Sequence, residues 1–192
     1  VVLWQPNMTQ KFKAELRDVA TRKASGVLRI FVMNTEALST KKGKDVANRF
    51  LDLNQDSFVV VDESTSIKNR SAQRTKNIIA LGKKAKYRRI LTGSPITKNP
   101  MDLFSQCGFL GAKLLGFDSY YAFQGRYAQL QSRKFGARSF QQIVGYRNLD
   151  ELNKKLDCFS HRVLKEDCLD LPDKIYTQRT VELTKEQKNA YE

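Results

Sequence analysis

The chain has 192 residues, 41% hydrophobic and 28% charged, enough apolar material for a packed domain and too much for a disordered polyelectrolyte. Lys and Arg outnumber Asp and Glu by 34 to 20, and the net charge of +14 favours a polyanionic partner, with nucleic acid ahead of a membrane surface because no amphipathic anchor or lipidation signal accompanies it. No apolar run approaches the roughly 20 residues of a membrane span; a single histidine, His161, excludes multi-histidine metal sites, and no nucleophile motif accompanies it to suggest a His-based triad.

In chain order, residues 1–4 read as an apolar strand, and Thr9 as the cap of a helix over 9–19 with Phe12 and Leu16 on one face. A second strand over 28–33 ends at Asn34, Thr35 and Glu36. Lys41, Lys42 and Lys44 form a basic turn, followed by a helix over 45–53 with Val46, Phe50 and Leu53 as its buried stripe. Residues 58–61, Phe-Val-Val-Val, lack alternation and read as a strand buried on both faces, as in a parallel sheet. Ser71 caps a helix that runs to Leu81, with Ile78, Ile79 and Leu81 inward and Gly82 ending it. A further strand over 89–91 leads into Thr92-Gly93-Ser94-Pro95. The recurring strand–helix order predicts α/β architecture with right-handed crossovers.

After Pro100 the texture changes. Residues 101–110 are helical, 115–146 are rich in Phe, Tyr, Gly, Gln and Arg, and 149–159 form a helix with Leu152 and Leu156 on its apolar stripe. Leu171-Pro172-Asp173-Lys174 breaks the chain, 175–183 alternate as a half-exposed strand would, and Thr184 caps a last helix. These shifts divide the chain into 1–110, a helical, aromatic- and basic-rich extension over 111–170, and a linker over 171–192. Cys107, Cys158 and Cys168 are widely spaced, contain no C-x-x-C, and read as reduced core residues of a cytoplasmic protein. The chain begins without methionine or signal peptide, as a piece of a longer protein would.

Ligands of parallel sheets bind at the carboxyl ends of the strands. Asp62 and Glu63 follow such a strand directly, and a carboxylate pair there suits a magnesium ion and an oriented water beside a nucleotide phosphate. Lys68-Asn69 follows at a short offset, and Thr92-Gly93-Ser94-Pro95 with Asn99 ends the next strand.

This constellation resembles the ATPase core of superfamily-two helicases and translocases, in particular the Swi/Snf-like branch. Asp62-Glu63-Ser64-Thr65 stands where that family has its Walker B motif, Ile67-Lys68-Asn69 matches the following Lys-Asn, and Leu91-Thr92-Gly93-Ser94-Pro95-Ile96 with Asn99 is similar to the next motif. The run from Ile30 to Leu38 looks like the strand whose tip approaches DNA. Trp4 with Phe12 and Leu16 is similar to an earlier strand-and-helix element. Arg162-Val163-Leu164-Lys165 with Leu171-Pro172-Asp173-Lys174 resembles the lobe-closing signature, and Val181-Glu182-Leu183-Thr184 with Gln187 and Tyr191 the start of the second lobe.

The resemblance implies a RecA-like parallel sheet flanked by helices, a partial first lobe, with a mostly helical C-terminal appendage leading toward a second lobe. It implies ATP and Mg as ligands: Asp62 holds the ion, through water, and Glu63 orients or deprotonates the attacking water. Thr92 and Ser94 hydroxyls would reach Glu63 or Thr65 and join the phosphate site to the DNA face. Thr65 departs from the family's usual histidine, and a hydroxyl cannot carry the charge an imidazole can. No G-x-x-x-x-G-K-[ST] occurs in the sequence. The resemblance puts that Walker A segment upstream of Val1 and the arginine fingers on a second RecA-like lobe, so the chain alone is expected to have little or no ATPase activity.

For nucleic acid, the resemblance points to Asn34, Thr35, Lys68, Ser94 and Asn99. Charge adds Lys41, Lys42 and Lys44, then Lys83, Lys84, Lys86, Arg88 and Arg89, then Arg126, Arg133, Lys134, Arg138 and Arg147. The last group interleaves with Tyr120, Tyr121, Phe123, Tyr127, Phe135 and Phe140. These aromatics read as the core of the extension, and the charges equally as a solvated face or as phosphate contacts. The expected activity is a DNA-dependent ATPase that couples hydrolysis to movement on double-stranded DNA, in the bacterial or viral-host cytoplasm or the nucleoid. A non-catalytic nucleic-acid-binding module and a strand-unwinding DNA or RNA helicase stand as alternatives.

Overall fold

The strands at the front of the chain pair in parallel, and each pair encloses a helix. β1 (Val2–Leu3) lies beside β2 (Phe31–Val32), with α1 (Gln10–Thr21) crossing between them. β3 (Phe58–Val61) lies beside β4 (Tyr87–Ile90), in register from Phe58 opposite Tyr87 to Val61 opposite Ile90, with α3 (Gln73–Gly82) between. α2 (Lys41–Asp52) joins the two pairs, and the architecture is the expected α/β type. The computed structural model describes residues 1–21, 26–136, 138–164, 168, 170 and 175–191. Val1–Cys158 and Phe159–Glu192 form two separate units.

Local chemistry explains the helix starts, including two that differ from expectation. Thr9 Oγ1 accepts the Phe12 N–H at 3.2 Å, as predicted, and the fully buried Phe12 ring meets Trp4 edge-on at 5.9 Å. α2 begins four residues earlier than its apolar pattern suggested, because Thr40 Oγ1 accepts the Gly43 N–H at 3.0 Å and the basic run Lys41–Lys44 becomes its first turn. The buried stripe accordingly shifts to Gly43, Ala47 and Leu51; Val46 and Phe50 are half-buried, and Leu53 is exposed. Ser71 does not cap α3: its N–H and hydroxyl both donate to Asn69 Oδ1, at 3.0 and 2.7 Å, closing the preceding turn. Gly82 is the last residue of α3, and its role is proximity, since an added Cβ would sit 2.8 Å from the Phe109 ring.

The core joins Leu38, Ala47, Leu51, Val61, Ile67, Ile78, Leu81 and Phe109, with Ile79, Ile90 and Val59 packed against it. Phe109 and Cys107 come from α4 (Leu103–Leu110), entered through a 3-10 turn over Pro100–Asp102. Of the three cysteines only Cys107 is in the core, where burial pushes its thiol up to about 12; Cys158 and Cys168 are exposed. β3 is covered on one face, not two: Val61 is buried, but Phe58 and Val60 are 55% and 44% exposed beside Tyr87 of β4.

The extension holds the helix expected over 149–159, α6 (Leu149–Asp157), and a further one, α5 (Tyr120–Tyr127), but it is not mostly helical: between them lies a feature the periodicity did not reveal. β5 (Ala128–Phe135) and β6 (Arg138–Tyr146) form an antiparallel hairpin, with a register shift at Gln129 and Leu130. Its base rests on an aromatic cluster of Phe104, Phe117, Phe123 and Tyr127, with ring centroids 5.0 to 5.6 Å apart. Glu151 of α6 accepts the Tyr127 hydroxyl at 2.9 Å, pairs with Arg126, and lies 3.3 Å from Lys155. The Arg126 guanidinium, then the Tyr127 hydroxyl, hold the Glu151 carboxyl down to about 2.

In the second unit, Thr184 Oγ1 accepts the Gln187 N–H at 3.3 Å while Gln187 Oε1 accepts the Thr184 N–H at 3.0 Å, a reciprocal cap that starts α7 (Lys185–Tyr191) as predicted. The strand predicted over 175–183 does not form; no partner strand meets it among the described residues, and Ile175 and Val181 are exposed. Lys165 and Leu171-Pro172-Asp173-Lys174 lie outside the described residues. Among those described, no helix is long and apolar enough to cross a membrane.

Candidate functional site

Parallel pairing brings the ends of β3 and β4 to one edge, so Asp62-Glu63 and Thr92-Gly93-Ser94-Pro95 emerge side by side. The ladder continues past both strands: Leu91 N–H donates to Val61 O at 2.9 Å, and Ser64 N–H to Leu91 O at 3.0 Å. Asp62 and Glu63 are exposed, and Asp62 Oδ1 accepts the Glu63 N–H at 2.9 Å. Glu63 has φ 46° and ψ 60°, left-handed and strained for a residue with a Cβ. That backbone turns the chain sharply after the strand, leaving both carboxylates in solvent while Ser64 is drawn inside.

The two loops are joined by residues the sequence reading passed over. Ser64 and Gln106 are both fully buried. Ser64 Oγ donates to Gln106 Oε1 at 2.7 Å, and Gln106 Nε2 donates to Pro95 O at 2.7 Å and Asp102 O at 2.9 Å. The expected link through Thr92 and Ser94 to Glu63 or Thr65 is not made: Ser94 N–H donates to Thr92 Oγ1 at 3.2 Å and Ser94 Oγ to Ile96 O at 3.4 Å, both within their own loop. A serine following Asp-Glu and a glutamine inside an apolar helix were the only sequence signals for the actual bridge.

Lys68 and Asn99 do come together, in a cleft of about 300 Å³ that also includes Asn69, Arg70, Asp102 and Tyr120. Lys68 Nζ bonds Thr97 Oγ1, and its carbonyl accepts Ser105 Oγ at 2.6 Å. Asp102 Oδ2 accepts three bonds, from Thr97 N–H at 3.1 Å, Thr97 Oγ1 at 2.9 Å and Lys98 N–H at 3.1 Å. Burial pushes the Asp102 carboxyl up, but the Lys98 and Thr97 hydrogen bonds and the Lys68 charge outweigh it and leave the carboxyl below its ordinary range. Asn99 Oδ1 accepts the Met101 N–H at 3.0 Å, which starts the 3-10 turn. Arg70 lies over the Tyr120 ring at 4.2 Å, tying the cleft to α5.

Asn34 and Thr35 stand at the carboxyl end of β2, beside a hollow of about 590 Å³ that includes Trp4, Asn34, Glu36 and Lys42. Arg74 holds this region to the loop after β3: Arg74 Nε donates to Ser66 O at 2.9 Å and Nη1 pairs with Glu36 at 3.5 Å. Asn77 Nδ2, donating to Leu38 O at 2.6 Å, reinforces the contact from inside. Lys83, Lys84 and Arg88 are not part of this assembly. They lie around the amino end of β4, a strand of four residues away from Thr92. Lys84 there pairs with Asp52 at 2.7 Å and its neighbour Lys86 with Asp56 at 2.8 Å, so acidic residues offset part of this basic run.

No group of three or more His, Cys, Asp or Glu side chains gathers as a metal cage among the described residues. One strand-end Asp with an adjacent Glu instead suits an ion that takes few protein ligands and keeps its water and phosphate oxygens, the habit of magnesium. The donor set therefore fits Mg.

A family model described as the SNF2-related domain matches residues 11–192. The DNA annealing helicase and endonuclease ZRANB3 of Bos taurus is 39% identical over 126 residues, 64% of this chain and 12% of that protein. The TATA-binding protein-associated factor MOT1 of Saccharomyces cerevisiae is 37% identical over 137 residues, 70% of this chain and 7% of its own length. The human TATA-binding protein-associated factor 172 is 35% identical over 138 residues, again 70% and 7%. The chain spans only about a tenth of the length of these relatives.

Proposed function

The chain belongs to the SNF2-related domain family, with the RecA-like α/β fold expected of it, and on that premise we propose that it supplies the Asp-Glu half of the ATPase core of a DNA-dependent motor. The observation that supports this reading is the joining of two strand-end loops by the Ser64–Gln106–Pro95 bridge and the Ser64–Leu91 backbone bond. A carboxylate pair on one loop and a Thr-Gly-Ser-Pro turn on the other then move as a unit, which a motor needs in order to pass a change at a phosphate to a polymer.

In this proposal ATP is the substrate, and Mg, when bound, neutralises charge developing on the transferred phosphoryl group. Asp62 would hold the ion, through water. Glu63 orients the attacking water and accepts its proton. Thr92 and Ser94 shape the facing loop, and Lys68 and Asn99, with Asn34 and Thr35, offer phosphate and backbone contacts along the same edge. The phosphate-binding loop and the second lobe come from other parts of the protein. The relative from Bos taurus is a DNA annealing helicase, which supports DNA over RNA; movement on duplex DNA without strand separation is the reading taken here. The test is the ATPase rate of the full-length protein with and without duplex DNA, beside Glu63→Gln. DNA-stimulated turnover lost in the variant, with nucleotide still bound, is expected. Turnover near the unmodified rate in Glu63→Gln overturns the assignment of the base, and no turnover in the folded unmodified protein favours a binding module.

A further inference from the structure

The hairpin of β5 and β6 sorts its residues in a way the sequence conceals. Cross-strand partners share a face, and the register pairs Arg133 with Phe140 and Phe135 with Arg138. One face therefore carries two arginines and two phenylalanines, flanked by Gln131 opposite Gln142, while Leu130, Ser132 and Lys134 turn to the other. All four residues of the quartet are exposed, Phe135 at 83% and Phe140 at 51%. Among the described residues neither Arg133 nor Arg138 has an ion pair, and no Asp or Glu occurs between Ala128 and Arg147. Tyr127 and Phe123, by contrast, are fully buried at the hairpin's base. Phe123 and Tyr127 thus anchor the ribbon, while Phe135 and Phe140 on its outer part are held out in solvent.

We propose that this face binds single-stranded DNA, with Phe135 and Phe140 stacking on bases and Arg133 and Arg138 neutralising phosphates. Two exposed phenylalanines in diagonal register, their backbone positions about 7–8 Å apart, offer π-faces that bases in a duplex cannot reach while stacked on each other, whereas an unpaired strand presents them freely. The positive charge, with no carboxylate on the ribbon, matches the phosphate backbone. Rooting on the aromatic cluster and on the Arg147 Nη2 bond to Gly125 O, at 2.6 Å, preorganises the ribbon. The choice of DNA over RNA rests on the proposed function; the stacking face does not.

The test is nucleotide-free binding, by fluorescence anisotropy, of labelled oligothymidine 20-mer, the matching duplex and oligouridine to the full-length protein. Phe135→Ala and Phe140→Ala are each expected to weaken oligothymidine binding about fivefold or more, with duplex binding changed less than twofold and thermal melting unchanged. Arg133→Gln with Arg138→Gln is expected to lower the slope of log affinity against log salt by about 1.4, two cations at about 0.7 each. Phe135→Trp restores binding. Oligothymidine affinity within twofold in the double phenylalanine variant, or equal losses on duplex, overturns the stacking face; tighter binding of oligouridine overturns DNA as its ligand. ATP turnover is no part of the readout, so loss of the motor reading leaves these results standing.

Discussion

Removing one end of the buried bridge between the two strand-end loops has a cost that the geometry bounds. Gln106→Leu keeps nearly the same volume, so the cavity contribution is small, but it strips the Ser64 hydroxyl and the carbonyls of Pro95 and Asp102 of a partner. Pro95 is exposed and its carbonyl regains water, losing only the net value of one bond, about 0.5–1.5 kcal/mol. Ser64 is 0% exposed and its hydroxyl cannot, which adds about 1–3 kcal/mol. With a similar loss of about 0.5–1.5 kcal/mol at the Asp102 carbonyl, the expected total is about 2–6 kcal/mol. Ser64→Ala orphans Gln106 Oε1 and is expected to cost about 1–3 kcal/mol. In the double variant neither side chain is left unsatisfied by the other, so its loss should fall short of the sum of the two single losses by at least about 1 kcal/mol. Urea unfolding of the four proteins, with m-values compared to confirm a common unfolding reaction, measures that coupling. Additivity within about 0.5 kcal/mol would refute the bridge as the joint between the loops.

Gly43→Ala drives its new Cβ into the Ala37 carbonyl oxygen, a backbone atom that cannot step aside, whereas Gly82→Ala meets the Phe109 ring at 2.8 Å. Thermal melting should show Gly82→Ala destabilised by about 1–3 kcal/mol and Gly43→Ala by more; a gain of about 1 kcal/mol at position 82, as helix propensity alone predicts, would show that the ring yields. Relieving the left-handed backbone at Glu63 by Glu63→Gly is expected to leave folding stability unchanged or raise it by up to about 1.5 kcal/mol, since strain of about 1–2 kcal/mol is set against glycine's entropy of about 0.5–1 kcal/mol; Glu63→Val should lower stability, and the reverse order on chemical denaturation contradicts the backbone geometry. Glu151, with its carboxyl held down to about 2 from an ordinary 4.5, contributes stability that is present above about 4.5 and lost as pH falls toward 2. In Glu151→Gln the urea midpoint should depend less on pH across that window; identical acid limbs would mean Arg126 and Tyr127 do not hold the carboxylate.

The Asp62-Glu63 edge was legible because the apolar run Phe58–Val61 ends in a polar cluster; β4 was less so, since it reads Tyr-Arg-Arg-Ile and begins two residues before the strand expected over 89–91. Helix boundaries were less so where a side chain decided them: Thr40 started α2 early, and Asn69 took Ser71 from α3. The hairpin was hidden because Gln129 to Lys134 offers little apolar alternation; its strands are held by pairing with each other and not by a buried face. The bridge of Ser64 and Gln106 was hidden for the opposite reason. Both are common polar residues whose importance comes from burial, and burial depends on contacts 42 positions apart in the chain.

Cys107 gives this fold a built-in clock. Its thiol, buried in α4 and pushed up to about 12 by that burial, holds little of the reactive thiolate, while Cys158 and Cys168 are exposed. An unlabelled sample treated with a thiol-specific chromophore should therefore report two fast equivalents and one slow one. The slow rate measures how often the cover over this sulfur opens, an opening equilibrium of part of the domain. Nucleotide or DNA that tightens the lobe would register as a longer delay on that single sulfur.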